Sequence, residues 1–286
     1  MTATAVPQVR PISPPRLALG TFVALLARDL RVIRREFGSF IIRLIMQPLL
    51  FVFVFAYVLP KIGAGVGGPS QGAVAAATGI TFSTILVPGL IAVSVNFQGV
   101  QAVAIPLVRD FSYSKEIEDR VLAPVPVWIV GLEKIASGAL QAIFAAFIVL
   151  PIVVTVHAPG QAPMLEPNWF VFIVVLVFAS TLMSSLGLLL GTVIDPNKIN
   201  LLFSVVILPI TFLGCVYYPW ASLSAIPWLQ WLVCLNPLVY VSEGLRWALT
   251  PQTGHMPAWA VTLALVGGSI VFGLISLRTF TRRVIT

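Results

Sequence analysis

Charge is scarce in this sequence. Asp, Glu, Lys and Arg make up 9% of its 286 residues, where an ordinary soluble domain carries about 25%. So few ionic groups cannot cover a water-facing surface, which excludes a soluble globule. Disorder is excluded too, because 58% of the residues are hydrophobic and the mean hydropathy is +1.01. Cysteine is nearly absent. Cys215 and Cys234 are too few for a disulfide framework and lack metal-binding spacing, and free thiols are the expected state. The phosphate-loop pattern GxxxxGK[ST] is missing, and the dipeptide Gly-Lys never occurs. These residues are therefore not expected to hydrolyse ATP. Histidine is limited to His157 and His255, both between apolar runs. The centres of those runs hold no Asp, Glu, Lys, Arg or His. That weighs against a proton-coupled carrier, which needs titratable groups at membrane depth. It also weighs against an intramembrane hydrolase or transferase, which needs a nucleophile with a base or a metal.

Apolar length is what the chain has in abundance. A hydrocarbon core of roughly 30 Å takes about 20 apolar residues in a helix. Six stretches meet that need, running approximately over 40–59, 75–108, 135–156, 169–194, 199–218 and 259–277. The second is too long for a perpendicular crossing, so it must tilt, kink at Pro88 or partly leave the bilayer. A further apolar piece, 220–249, is interrupted by Pro227 and Pro237 and reads as short re-entrant or interfacial helices. The expected class is all-α: a polytopic membrane protein with six transmembrane helices. Because the first apolar run begins only near Phe40, behind arginines and proline-rich steps, no cleavable signal peptide is expected.

Orientation follows from the basic residues. With the first segment placed in the cytoplasm, fifteen of the lysines and arginines fall inside, and only Lys61 and Arg246 fall outside. Both termini are therefore expected in the cytoplasm. Tryptophan agrees: Trp128, Trp169 and Trp259 flank spans, and four more decorate 220–249, as an interfacial aromatic belt would. Nothing in this distribution points to nucleic acid.

Residues 1–16 read as a flexible cytoplasmic N-terminus, 17–38 as an amphipathic interface helix and 39–286 as the six-span domain. In the helix, Phe22, Leu26, Leu30, Ile33 and Phe37 share one sector, and Arg28, Arg31, Arg34 and Arg35 lie opposite. Between spans two and three, RDFSYSKEIEDRVLAPVPVWIVGLEK is the most charged region of the chain. A helix over 112–122 ends at Pro124 and Pro126. Phe111 and Tyr113 beside Lys115, Glu116, Glu118, Asp119 and Arg120 make a docking knob for another protein; a solvated turn would also satisfy the topology. On the far side, Asn236-Pro237 is a helix start. Glu243 and Arg246 share a face of that helix and can neutralise one another. The polar residues Thr78, Thr81, Ser83, Thr84, Ser94, Asn96, Gln98 and Gln101 of span two either line a pathway or bond helix to helix.

The run KEIEDRVLAPVPVWIVGLEKI resembles the cytoplasmic coupling region of type-2 ATP-binding-cassette exporter permeases of the drug-resistance and nodulation-factor export kind. The segment VYYPWASLSAIPWLQWLVCLNPLVYVSEGLRWAL is similar to that family's outer half-membrane hairpin, closing on Asn-Pro-Leu-x-Tyr-x-x-Glu-x-x-Arg. The resemblance covers essentially the whole chain, and Tyr113-Ser114 replaces the commoner Gly-Thr of the coupling pattern. It implies an exporter subunit in the bacterial inner membrane that moves an amphipathic drug, lipid or lipid-linked glycan outward. Two copies of a separate ATPase subunit, which bind the ATP and Mg, would act with a second copy of this or a related permease chain; this chain would hold no cofactor. It further implies that the loop 109–127, with Phe111, Tyr113, Lys115, Glu116, Glu118, Asp119 and Arg120, meets the ATPase. The hairpin 219–249, with Asn236, Pro237, Tyr240, Glu243 and Arg246, would be the outer gate. Asn96, Gln98, Phe203, Phe212, Tyr217 and Tyr218 on spans two and five would line the route. An ATP-independent carrier or channel is the alternative reading, and an intramembrane lipid-modifying enzyme a further one.

Overall fold

The computed structural model describes residues 14–35, 37–58, 61, 80–111, 126–194 and 202–285. Among them the structure is helical, with no strand. Helix α1 runs Pro14–Arg35 and α2 Phe37–Val52, the latter continuing as a π-helix over Phe53–Val58. Three long helices follow: α3 (Phe82–Arg109), α4 (Val127–Thr155) and α5 (Trp169–Val193). A π-helix over Leu202–Ile207 leads into the short α6 (Leu208–Phe212). Next come α7 (Pro227–Leu232), α8 (Pro237–Leu249) and the long α9 (Ala258–Ile285).

Five of these are long and apolar enough to cross a membrane: Phe40–Val58, Phe82–Arg109, Val127–Thr155, Trp169–Val193 and Ala258–Val284. The remaining expected stretch, 199–218, is helical only over 202–212 among the described residues. Leu213 closes that helix, and the chain then turns through Cys215, which holds φ 51°. Three expected boundaries also move. Helix α4 starts at Val127 rather than Ile135, so Glu133 and Lys134 lie inside it. Helix α9 continues past Leu277 and carries Arg278, Arg282 and Arg283. Phe37, grouped with the amphipathic helix by periodicity, opens α2 instead.

Local chemistry explains where the helices begin. The Thr81 hydroxyl accepts from the Thr84 amide at 3.3 Å and caps α3. Asn168 caps α5 by accepting from the Val171 amide at 3.2 Å. Pro227 and Pro237 open α7 and α8, where a missing N–H costs no helical bond. Hydroxyls inside the long helices fold back on carbonyls one turn earlier: Ser94 to Leu90 at 2.9 Å, Thr192 to Leu188 at 2.6 Å and Ser269 to Leu265 at 2.7 Å. That arrangement satisfies these three donors within their own helices, whereas the buried Ser83, Ser180 and Ser184 hydroxyls make no hydrogen bond among the described residues.

Helix α3 is the hub. It packs against α4, α5 and α8, and most of its length from Phe82 to Asn96 is buried. Glycine permits the closest approaches. A Cβ on Gly187 of α5 would meet the Val100 carbonyl oxygen at 2.7 Å, and one on Gly89 of α3 would meet the Val216 oxygen at 1.9 Å. Any side chain at Gly89 would displace the 213–219 turn from α3. Helices α3, α4, α5 and α9 therefore form a bundle with two chemically different ends. At one, Arg28, Arg109, Lys134, Arg282 and Arg283 gather on α1, α3, α4 and α9; at the other, the short helices between Trp220 and Leu249 cap the core.

Candidate functional site

The capped end is organised by one buried ion pair. Glu243 and Arg246 stand one turn apart on α8, are both fully buried, and contact through Oε1 and Nη1. The same carboxylate accepts two backbone amides. Oε1 takes the Trp220 N–H at 2.9 Å, and Oε2 takes the Met256 N–H at 2.8 Å. Arg246 Nη2 donates to the Cys215 carbonyl at 3.3 Å. A single pair thus ties the turn after α6, the first turn of the hairpin and the lead-in to α9 onto α8. A carboxylate held by an arginine and two amides has most of its lone pairs satisfied, which is what makes its burial tolerable.

The rest of the motif closes around that pair. The Asn236 side chain caps α8 by accepting from the Leu238 amide at 2.9 Å, and its Nδ2 donates to the Ile210 carbonyl at 2.7 Å. Pro237 holds the first helical position. The Tyr240 hydroxyl donates to the Cys234 carbonyl at 2.9 Å, and Ser242 Oγ donates to the Gly214 carbonyl at 2.6 Å. Trp220 Nε1 donates to the Gln230 carbonyl at 3.2 Å, which staples the two arms of the hairpin. Cys215 and Cys234 are free thiols. Sequence reasoning identified Asn236, Pro237, Tyr240, Glu243 and Arg246, and the structure gathers all five. It missed the amides of Trp220 and Met256, because a backbone N–H carries no residue-type signal.

Five of the six residues assigned to a pathway are placed by their contacts. Asn96 Nδ2 donates to Thr211 Oγ1 at 3.3 Å, joining α3 to α6, and Gln98 Nε2 donates to Gln141 Oε1 at 3.4 Å, joining α3 to α4. Both act as helix-to-helix bonds here. Tyr217 stacks on Phe55 with ring centroids 4.6 Å apart, and Phe212 approaches it at 6.5 Å. Tyr218 is half-buried against the core. The Phe203 side chain lies outside the described residues.

At the other end, Phe111 is the one coupling residue described. Its ring lies 6.2 Å from that of buried Phe280, and the Arg283 guanidinium sits 4.6 Å from its centroid. Phe111 is thereby gripped by the last turns of α9. Tyr113, Lys115, Glu116, Glu118, Asp119 and Arg120 lie outside the described residues. A second tie was not anticipated. Asp29 of α1 meets Lys134 of α4 at 2.8 Å, with Arg28 at 3.1 Å on the other carboxylate oxygen and Glu133 3.9 Å from the ammonium. Burial works to raise the Asp29 pKa, but Lys134 and Arg28 outweigh it and hold the carboxyl below its ordinary 3.8. A lowered folded-state pKa stabilises the ionised form, so this contact is complete above that ordinary value and fails only as pH falls below it. The signal available was an isolated acid, Asp29, in an arginine-rich helix.

Comparison with known proteins places this architecture. The chain is 30% identical over 170 residues to the inner membrane transport permease YadH of Escherichia coli strain K12, and equally to that of Shigella flexneri. Those alignments cover 59% of this chain and span 63% of the relatives' length. A family model described as ABC-2 type transporter matches residues 20–250. That match takes in α1 from Gly20 onward, the long helices through α5 and the Glu243–Arg246 pair, and the chain belongs to the ABC-2 type transporter family.

Proposed function

We propose that this chain is the membrane-spanning permease subunit of an ATP-driven exporter, working as a pair of permease chains with two copies of a separate ATPase. The basic end faces the cytoplasm, a placement that the distribution of lysine and arginine supports. The hairpin end lies at the outer face of a bacterial inner membrane, and both termini are cytoplasmic. Helix α1 rests along the inner interface, where exposed Leu19, Val23 and Leu30 meet the acyl boundary. The relatives' description as inner membrane transport permeases supports the same placement.

The observation that carries this reading is the lock at the capped end. Glu243 and Arg246 hold the hairpin, the 213–219 turn and the start of α9 as one body. A plug tied this way moves as a unit or not at all, which is what a gate requires. The drive comes from the opposite end. The loop 109–127 meets the ATPase there, and its movement reaches the bundle through Phe111, packed against Phe280 and Arg283 of α9, and through the Asp29–Lys134 contact between α1 and α4. ATP and Mg are bound by the partner, and this chain supplies the route and the gate. The cargo class is an amphipathic drug, lipid or lipid-linked glycan.

Topology gives the first test. In a variant with Cys215 and Cys234 replaced, S70C is expected to react with an impermeant maleimide from outside intact cells, and S114C only after lysis. Labelling in the reverse pattern overturns the orientation. Co-purification with an ATPase subunit encoded nearby tests the partnership, and the reading fails if the two never associate.

A further inference from the structure

Between α2, α3 and α4 lies a small cavity of about 40 Å³, lined by Leu44, Pro48, Ser94, Phe97, Gln98 and Gln101 among others. Its wall is half polar. Gln101 is half-buried and makes no hydrogen bond among the described residues, whereas Gln98 reaches only Gln141, at 3.4 Å. Pro48 stands inside α2 and lacks an N–H, so it deprives the Leu44 carbonyl of its helical donor. The cavity therefore presents amide donors, amide acceptors and a backbone carbonyl acceptor with spare capacity.

Depth makes this costly. Gln101 is eight residues from the end of α3 at Arg109, so at 1.5 Å per residue it sits about 12 Å from the basic end. Pro48 is eight residues from the start of the α2 span at Phe40, at a similar depth. In a core of roughly 30 Å, both positions fall within hydrocarbon, where unpaired polar groups are strongly disfavoured. Among the described residues, no ionisable side chain lines the cavity. Its capacity matches roughly three water-sized groups, enough for one edge of a head group and too little for a whole sugar.

We infer that Gln101 and Gln98, with the Leu44 carbonyl, form a cargo subsite that recognises the hydroxyl-bearing edge of an uncharged head group on an apolar tail, entering from the cytoplasmic leaflet between α2 and α3. A glutamine amide both donates and accepts, as a sugar hydroxyl does, so pairs of such bonds form without any charge having to be buried. The inference rests on the permease reading for the direction of travel, while the binding site itself does not depend on it.

The test is equilibrium binding to the full chain in nanodiscs, without any ATPase, using radiolabelled dodecyl maltoside below its micellar concentration. Dodecyl phosphocholine, with the same tail, serves as competitor. Saturable maltoside binding that phosphocholine fails to displace is expected. Gln101→Leu should weaken it about tenfold, near the upper end for one neutral hydrogen bond, and Gln101→Asn should weaken it less. Because Gln101 has no partner within the described chain, the leucine variant should unfold at the same temperature as the wild type or higher. The inference is overturned if Gln101→Leu binds maltoside as the wild type does, as it would if the cavity held only water. It is also overturned if phosphocholine competes equally, or if the variant loses stability along with binding. Maltoside binding by a chain that never couples to an ATPase would refute the permease reading and leave this site standing.

Discussion

Arg246→Met is expected to destabilise the folded chain by about 3–5 kcal/mol, the range for removing one partner of a fully buried ion pair. The Glu243 carboxylate stays behind in an apolar core, still facing the Trp220 and Met256 amides but without a neutralising charge. At roughly 2–4 °C per kcal/mol for a chain of this size class, the unfolding temperature in detergent should fall by about 6 °C or more. Glu243→Gln should also be costly, because Arg246 is then the uncompensated charge and an amide NH₂ turns towards another donor. Each single change strands a charge and the double change strands none. The double variant should therefore lose less than the sum of the two singles, a coupling that a double-mutant cycle reads directly. Additive losses, or an Arg246→Met protein as stable as the wild type, would remove the lock from the account.

The second large effect concerns transmission. Lys134→Met removes the ammonium that lies between the carboxylates of Asp29 and Glu133. The Asp29 side chain is 16% exposed and that of Lys134 is 8% exposed, so the contact is shielded but not dry. A loss of roughly 1–3 kcal/mol is expected. Its location is the sharper readout. Backbone amides of α1 should exchange faster with deuterium while those of α5 are unchanged, because Asp29 ties α1 to α4 through Lys134. ATP hydrolysis by the assembled complex should continue while cargo movement falls. Lys134→Arg should restore both readouts. Unchanged exchange in α1 would mean that this contact carries no load.

Much of this was legible in the sequence, for identifiable reasons. Long apolar runs mark the spans because hydrocarbon leaves no alternative to a helix. Glu243 and Arg246 were visible as a pair because a three-residue spacing puts them on one face. What escaped were interactions across the fold. The start of α4 was placed at Ile135 because Glu133 and Lys134 interrupt the apolar pattern. Lys134 is tolerated inside the helix by Asp29, 105 residues away. The stretch 199–218 has the composition of a span, yet among the described residues its helix stops at Phe212, and Cys215 turns the chain towards the lock. No periodicity encodes that turn; Gly89 on another helix makes room for it. Asn96 and Gln98 read equally well as pathway or as packing. Each bonds a neighbouring helix, through Thr211 and Gln141, yet Asn96 Oδ1 stays buried without a partner among the described residues, and Gln101 makes no hydrogen bond there.

The central claim is a division of labour, with the gate in this chain and the driving force in a separate subunit. Reconstitution into vesicles tests it most directly, by measuring uptake of a lipid-linked glycan against its gradient with and without the ATPase subunit. Accumulation is expected only when the ATPase and ATP are both present on the side of the basic end, and Arg246→Met should abolish it. Uphill accumulation by this chain alone, without nucleotide, would contradict the account.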